Sequence, residues 1–240
     1  MKRLVIGFVA ACLAAVVAAG GQAQANLLVD GTFNLATNGT ETSNSPWTLT
    51  VNKPDGTNRA AQFQTGFANA ENTGVGGPQA PGTGAGVWFR SFEGNQDPND
   101  PLAQATLTQS IIAPKDGDYI LFFRAGIEDN FTAGTWDVSF SSSGTGGTDT
   151  VDLLANPPSP FGNLGGAASA NPRGDRYDLF LNGVTAGDTL TVTGRMIDGV
   201  DFGTNPQSAY LDQFTLQVPE PTTLLLAGFG AAGLLVRRRR

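Results

Sequence analysis

The sequence holds no histidine, and its one cysteine, Cys12, lies close to the start. Those absences remove a large share of enzyme chemistry. Neither a Ser–His–Asp nor a Cys–His nucleophile pair can be assembled, and no zinc site can be built on imidazole or thiolate. What remains for catalysis is carboxylates, Lys, Tyr and metals held by oxygen. Positive charge is also scarce away from the ends. Of the 14 Lys and Arg, six (Lys2, Arg3 and Arg237 to Arg240) lie outside residues 26–217, leaving eight. Of the 21 Asp and Glu only Glu220 lies outside, leaving 20 and a net charge near −12. A body that acidic repels phosphate backbones, so nucleic acid is not an expected partner. Between the two ends long helical periodicity is missing as well, and nothing from residue 26 to 219 suggests a helix of more than a couple of turns.

The two ends have a different composition from the middle. Lys2 and Arg3 precede an apolar run rich in Ala and Val, and Ala23-Gln24-Ala25 follows with small residues where a signal peptidase reads them. Residues 1–25 are therefore expected to be a cleavable secretory signal with a helical apolar core, and Asn26 the mature N-terminus. Two alternatives stand beside this: a retained membrane anchor, and lipoprotein processing at the box Val9-Ala10-Ala11-Cys12.

The other end, residues 218–240, reads Val218-Pro219-Glu220-Pro221, then an uncharged stretch from Thr222 to Val236, then Arg237, Arg238, Arg239 and Arg240. As a helix the 15 residues from Thr222 to Val236 would be ~22 Å long. That is shorter than the ~30 Å hydrocarbon core of a bilayer, so permanent spanning would be strained. The arginines are expected on the cytoplasmic side, with the acidic body outside. Order, spacing and terminal position resemble the PEP-CTERM sorting signal. The resemblance implies recognition near Pro219, Glu220 and Pro221 by an exosortase-type membrane protease. It also implies delivery to the cell surface or extracellular matrix, with exopolysaccharide as a further partner. The alternative is an ordinary tail anchor.

About 190 residues lie between the ends, a length that suits one domain and buries a core without disulfide or metal staples. Short apolar runs separated by Gly, Pro and Asp turns predict an all-β antiparallel sandwich for residues 26–217. The expected strands cover 46–51, 86–90, 103–112, 118–126, 135–140, 148–153, 176–182, 188–195 and 209–217. Alternation is clear in several: Tyr177, Leu179 and Leu181 share one face, as do Trp136, Val138 and Phe140. The stretches 65–86, 141–147 and 156–173 are expected loops.

Three segments resemble the jelly-roll sandwiches of carbohydrate-binding modules. Asn26 to Asn34 resembles their first strand, Leu107 to Ile111 with Gly117 to Phe123 their central hairpin, and Ala209 to Leu216 their last strand. The resemblance implies a structural Ca²⁺ held by an acid of the first segment and an Asp of the last. Here Asn34 stands where the acid is expected and Asp212 remains, and one fewer charge weakens such a site. Glu128-Asp129 and Asp198 with Asp201 are further carboxylate pairs, suited either to calcium or to solvent.

Three functions follow. The first is a non-catalytic surface or matrix component, which needs the sorting tail and no catalytic constellation. The second is sugar binding, in which rings on an open sheet face stack on pyranoses. Its candidates are Trp47, Trp88, Trp136, Tyr119, Tyr177 and Tyr210, most of them at core spacing. Trp88 is the foremost, because Gly86 to Arg90 carries aromatics on both faces of a strand. The third is a two-carboxylate glycosidase, for which no spacing singles out a pair.

Overall fold

Period-two alternation is converted into two layers, because each strand can bury only one of its faces. The computed structural model describes residues 25–53, 59–65, 85–95, 99–128, 130–158, 175–201 and 208–218. Its strands are β1 (Thr48–Val51), β2 (Ala61–Thr65), β3 (Ala85–Arg90), β4 (Ala103–Ile112), β5 (Gly117–Ile127), β6 (Thr135–Ser142), β7 (Thr148–Asp152), β8 (Asp175–Val184), β9 (Thr189–Gly199) and β10 (Ser208–Gln217). A 3₁₀ turn at Ser91–Glu93 follows β3. The signal segment before Ala25, the PEP motif and the apolar and arginine parts of the tail lie outside the described residues. Asn26–Gln217 forms one unit of its own.

All pairings between the strands are antiparallel, in two five-stranded sheets ordered β1-β4-β9-β6-β7 and β2-β3-β10-β5-β8. From β3 onward the pairs β3/β10, β4/β9, β5/β8 and β6/β7 are nested, and successive pairs alternate between the sheets. That is one long hairpin rolled over itself, the strand order of a jelly roll. β1 and β2 each add an outer strand, on β4 and β3.

The inward faces carry the residues that alternation assigned to them. Trp136, Val138, Phe140, Leu190 and Val192 from one sheet are buried, as are Tyr119, Leu121, Phe123, Leu179 and Leu181 from the other. An aromatic chain runs through the core. Trp47 lies 5.1 Å from Phe214 between ring centroids, Phe214 lies 5.4 Å from Phe123, and Phe123 lies 5.4 Å from Tyr177. Two buried polar groups of the core find backbone partners. The Gln109 amide pairs in both directions with the backbone of Val29, at 2.9 Å each way, and Trp47 donates its indole N–H to the Asp30 carbonyl at 3.0 Å.

Several expectations need correcting. Residues 26–34 form turns and bends, not a strand. They nevertheless do a strand's work, because β3 pairs only with Ser208 to Leu211 and leaves the rest of that edge of β10 open. Asn26 fills it, donating its amide to Phe214 O and accepting from Leu216 N, both at 2.8 Å. Leu27 N donates to Leu216 O at 3.0 Å, and Phe214 N to Gly31 O at 2.8 Å. β2 was not among the expected strands, although Ala61 and Phe63 alternate with Gln62 and Gln64 over its five residues. Ser141 and Ser142 belong to β6, and Ala85 and Gly86 open β3, so the expected loops at 141–147 and 65–86 are shorter. Residues 66–84 and 159–174 lie outside the described residues.

Candidate functional site on the outer face of the second sheet

Register places the outward side chains of the β2-β3-β10-β5-β8 sheet in rows across the strands. Trp88 lies between Gln62 of β2 and Tyr210 of β10. Asp212 is opposite Arg124 of β5, which is opposite Arg176 of β8. Thr215, Phe122 and Asp178 form the next row, and Gln217, Ile120 and Phe180 the last.

The half of this face on β2, β3 and β10 is a tight polar and aromatic cluster. The rings of Trp88 and Tyr210 are nearly parallel, 6.3 Å apart at 12°. The Arg90 guanidinium lies 4.7 Å from the Trp88 ring centre and 4.9 Å from that of Phe92, a cation–π arrangement. Arg90 also pairs with Glu93 and donates to Gln62 Oε1. Burial pulls the Arg90 guanidinium below its usual value, opposed by the neighbouring Glu93 charge. Burial, with the Glu128 charge behind it, holds the Tyr210 hydroxyl well above the ordinary tyrosine range. Gln62, Glu93, Glu128, Ser208 and Asp212 are all buried here. Asp212 packs beside Gly86, where an added methyl would lie 3.6 Å from its Cβ, and it accepts from Gln213 N at 2.6 Å.

The half on β5 and β8 is open. Phe180 is 48 % exposed, among the most exposed large apolar side chains of the described residues. Arg176 lies 4.0 Å over the Phe122 ring and pairs through Nε with Asp178 at 2.8 Å. Arg124 donates from Nε to Gln213 Oε1 at 3.0 Å.

Of the rings considered from the sequence, Trp47, Trp136, Tyr119 and Tyr210 are buried, and Trp88 and Tyr177 are half-buried. Trp88 does point to the outer face, but flanked by Tyr210, Arg90 and Phe92. Asn34 is exposed and bonds only within its own turn, its amide donating to Thr32 Oγ1 at 2.9 Å. The neighbouring acid is Asp30, whose carboxylate accepts from Asn34 N and Leu35 N at 2.7 and 3.0 Å. Among the described residues no three His, Cys, Asp or Glu side chains converge. Asp129 lies outside them, and so do Pro219, Glu220, Pro221 and the arginines of the tail. Phe180 and Arg176 were not among the candidates read from the sequence. The signal was present, an aromatic on the polar face of an alternating strand.

The domain is thus an all-β jelly-roll sandwich with a structured outer face. Residues 217–240 match the PEP-CTERM protein-sorting motif, so the chain carries at its C-terminus the signal of an exported, surface-targeted protein. No curated protein matches the chain in sequence. Among solved structures it is similar to the carbohydrate-binding module TmCBM61 in complex with β-1,4-galactotriose, at 14 % identity and a TM-score of 0.46, covering 81 % of this chain and 99 % of that one. It is similar to a cleaved adhesin domain of Lys-gingipain from Porphyromonas gingivalis, at 12 % identity and a TM-score of 0.40, covering 78 % and 95 %. A third is a putative sugar binding protein from Bacteroides thetaiotaomicron, at 14 % identity and a TM-score of 0.39, covering 81 % and 100 %. The fold assignment itself rests on the strand order above. Among the described residues no helix is long and apolar enough to cross a membrane.

Proposed function

We propose that this chain is an exported, non-catalytic component of the cell surface or extracellular matrix. The secretion machinery delivers it, signal peptidase trims it between Ala25 and Asn26, and an exosortase-type membrane protease recognises its tail. The observation that carries this reading is the sorting motif at residues 217–240. The non-catalytic part draws support from the missing histidine and from the state of two buried acids. Glu93 is engaged by Arg90, and Asp137 by Arg195 at 2.5 Å. Intact-mass analysis of protein from native cells and from the matrix tests it. A species starting at Asn26 and ending near Pro219-Glu220-Pro221 is expected; one that keeps Arg240 overturns the processing claim.

A second reading is favoured by the outer face of the β2-β3-β10-β5-β8 sheet, which binds a glycan. Trp88 supplies a ring on that face rather than to the core, and Gln62, Gln64 and Arg90 stand beside it as hydrogen-bonding groups, the combination that orients sugars. Trp88→Ala is expected to abolish retention on immobilised polysaccharide while the far-UV spectrum stays that of the parent. Retention unchanged by the substitution would reject this face.

A further inference from the structure

We propose that Lys53 and Asp100 become joined by a side-chain amide, an intramolecular isopeptide bond that forms as the body folds. The reaction is the condensation of an amine with a carboxylic acid, and it needs no cofactor, oxidant or partner protein.

The two groups are in contact and largely out of water. Lys53 and Lys115 are the two lysines between residues 26 and 217. Lys53 leaves only 10 % of its side chain exposed, and Asp100 20 %. A lysine ordinarily runs its ammonium out to solvent. Lys53 instead brings Nζ to 2.5 Å from Asp100 Oδ2 and donates also to the Glu93 carbonyl. An amine that close to a carboxyl oxygen stands about 3–3.5 Å from the carboxyl carbon, the separation of a near-attack arrangement.

Both residues are fixed by their neighbours in the chain. Asn52 N donates to Gln104 O at 3.1 Å. The Asn52 amide donates to Leu102 O at 2.7 Å and accepts from Gln104 N at 2.8 Å. On the other side Asn95 N donates to Pro101 O at 3.4 Å, tying the segment of Asp100 to the end of the 3₁₀ turn that carries Glu93. Amine and acid are thus held together by folding, so the entropy of their encounter is already spent.

The step balances without further reactants. One proton passes from the Lys53 ammonium to the Asp100 carboxylate, a neutralisation that removal from water favours. Nζ then adds to Asp100 Cγ. The bond from Cγ to the protonated oxygen breaks, and that oxygen leaves as water with one proton from Nζ. The proton that stays on the new amide keeps its bond to Glu93 O. Nothing is oxidised or reduced.

The position of the bond gives it a purpose. The body holds no cysteine, so no disulfide staples it. β1 is a four-residue strand at the edge of its sheet, paired with β4. The amide pins the end of β1 to the lead-in of β4 and closes a ring of chain that contains β2 and β3. β1 and β2 are the strands outside the nested hairpins, the ones with most to gain from a covalent tie.

The test is intact-mass analysis of the full chain, denatured under reducing conditions, beside its Lys53→Arg and Asp100→Ala variants. The parent is expected to weigh less than its sequence by one water, and its digest to yield one branched peptide containing Lys53 and Asp100. Both variants are expected at full mass; Lys53→Arg keeps a cation opposite Asp100 but cannot condense with it. A parent at its full sequence mass overturns the proposal, whether or not the variants fold. A deficit that persists in Lys53→Arg places the lost water elsewhere, as in cyclisation at Asp30-Gly31 or Asp116-Gly117, and overturns it equally.

Discussion

Gly31 is held so close to β10 that a methyl group in place of its hydrogen would overlap the Phe214 carbonyl oxygen. No rotamer change relieves such a contact, because both partners are backbone. Gly31→Ala must push the 26–31 segment off β10 and break the bond from Phe214 N to Gly31 O. A loss of roughly 2–4 kcal/mol is expected in urea denaturation. At the same scale, burial and then the Asp175 charge push the Tyr177 hydroxyl up to about 12. An unfolded tyrosine ionises near pH 10. The folded state therefore keeps its proton where the unfolded state has released it. The contribution of Tyr177 is whole below pH ~10 and is lost as the pH rises from there to about 12. Tyr177→Phe should be less stable at pH 8, lacking the 2.8 Å bond to the Asn156 carbonyl, yet lose less stability between pH 8 and pH 11. A parallel fall in both proteins would assign the alkaline sensitivity to other groups.

Among elements, the closing strand depends on the opening segment. Asn26 reaches across 190 residues of sequence to Leu216 with its carbonyl oxygen and across 188 to Phe214 with its amide nitrogen. Removing a side chain that serves the donors Leu28 N and Leu216 N and the acceptor Phe214 O costs about 2 kcal/mol. Asn26→Ala should show that loss and faster amide exchange at Phe214 and Leu216, while exchange in β6 and β9 stays near the parent's. The edges are managed as well. The Asp149 carboxylate of β7 accepts from Phe180 N of β8 at 2.8 Å, joining the edge strands of the two sheets. A stray strand would otherwise find an open donor there.

The molecule as a whole divides its labour between a folded body and an address. The sorting motif is confined to residues 217–240, of which Gln217 alone belongs to the body. Residues 218–240 placed behind an unrelated exported domain should therefore carry that domain to the same destination in cells of the native host. Replacing Pro219, Glu220 and Pro221 by alanine in the native chain should strand it in the membrane fraction. Fractionation with intact mass reads both; delivery of the alanine variant would remove the motif from the mechanism.

The amino-acid order by itself determined the address and the class of fold. Both are local properties: an apolar run, a charge cluster and a two-residue alternation are read from neighbours in the chain. β4 was legible over its whole length for that reason, and so were the inward faces of β6 and β8, where Trp136, Val138 and Phe140 or Leu179 and Leu181 repeat every second residue. Tertiary structure alone decided what depends on distant partners. The alternation of Ala61–Thr65 is only five residues long, and it is the edge offered by β3 that makes β2 a strand. Residues 26–34 carry a strand-like pattern but turn, since Asn26 and Gly31 satisfy β10 without becoming one. Trp88 and Phe180 point the same way from different strands, one enclosed by Tyr210, Arg90 and Phe92 and the other open. Pairing register sets that difference, because it alone determines which side chains across the sheet become neighbours.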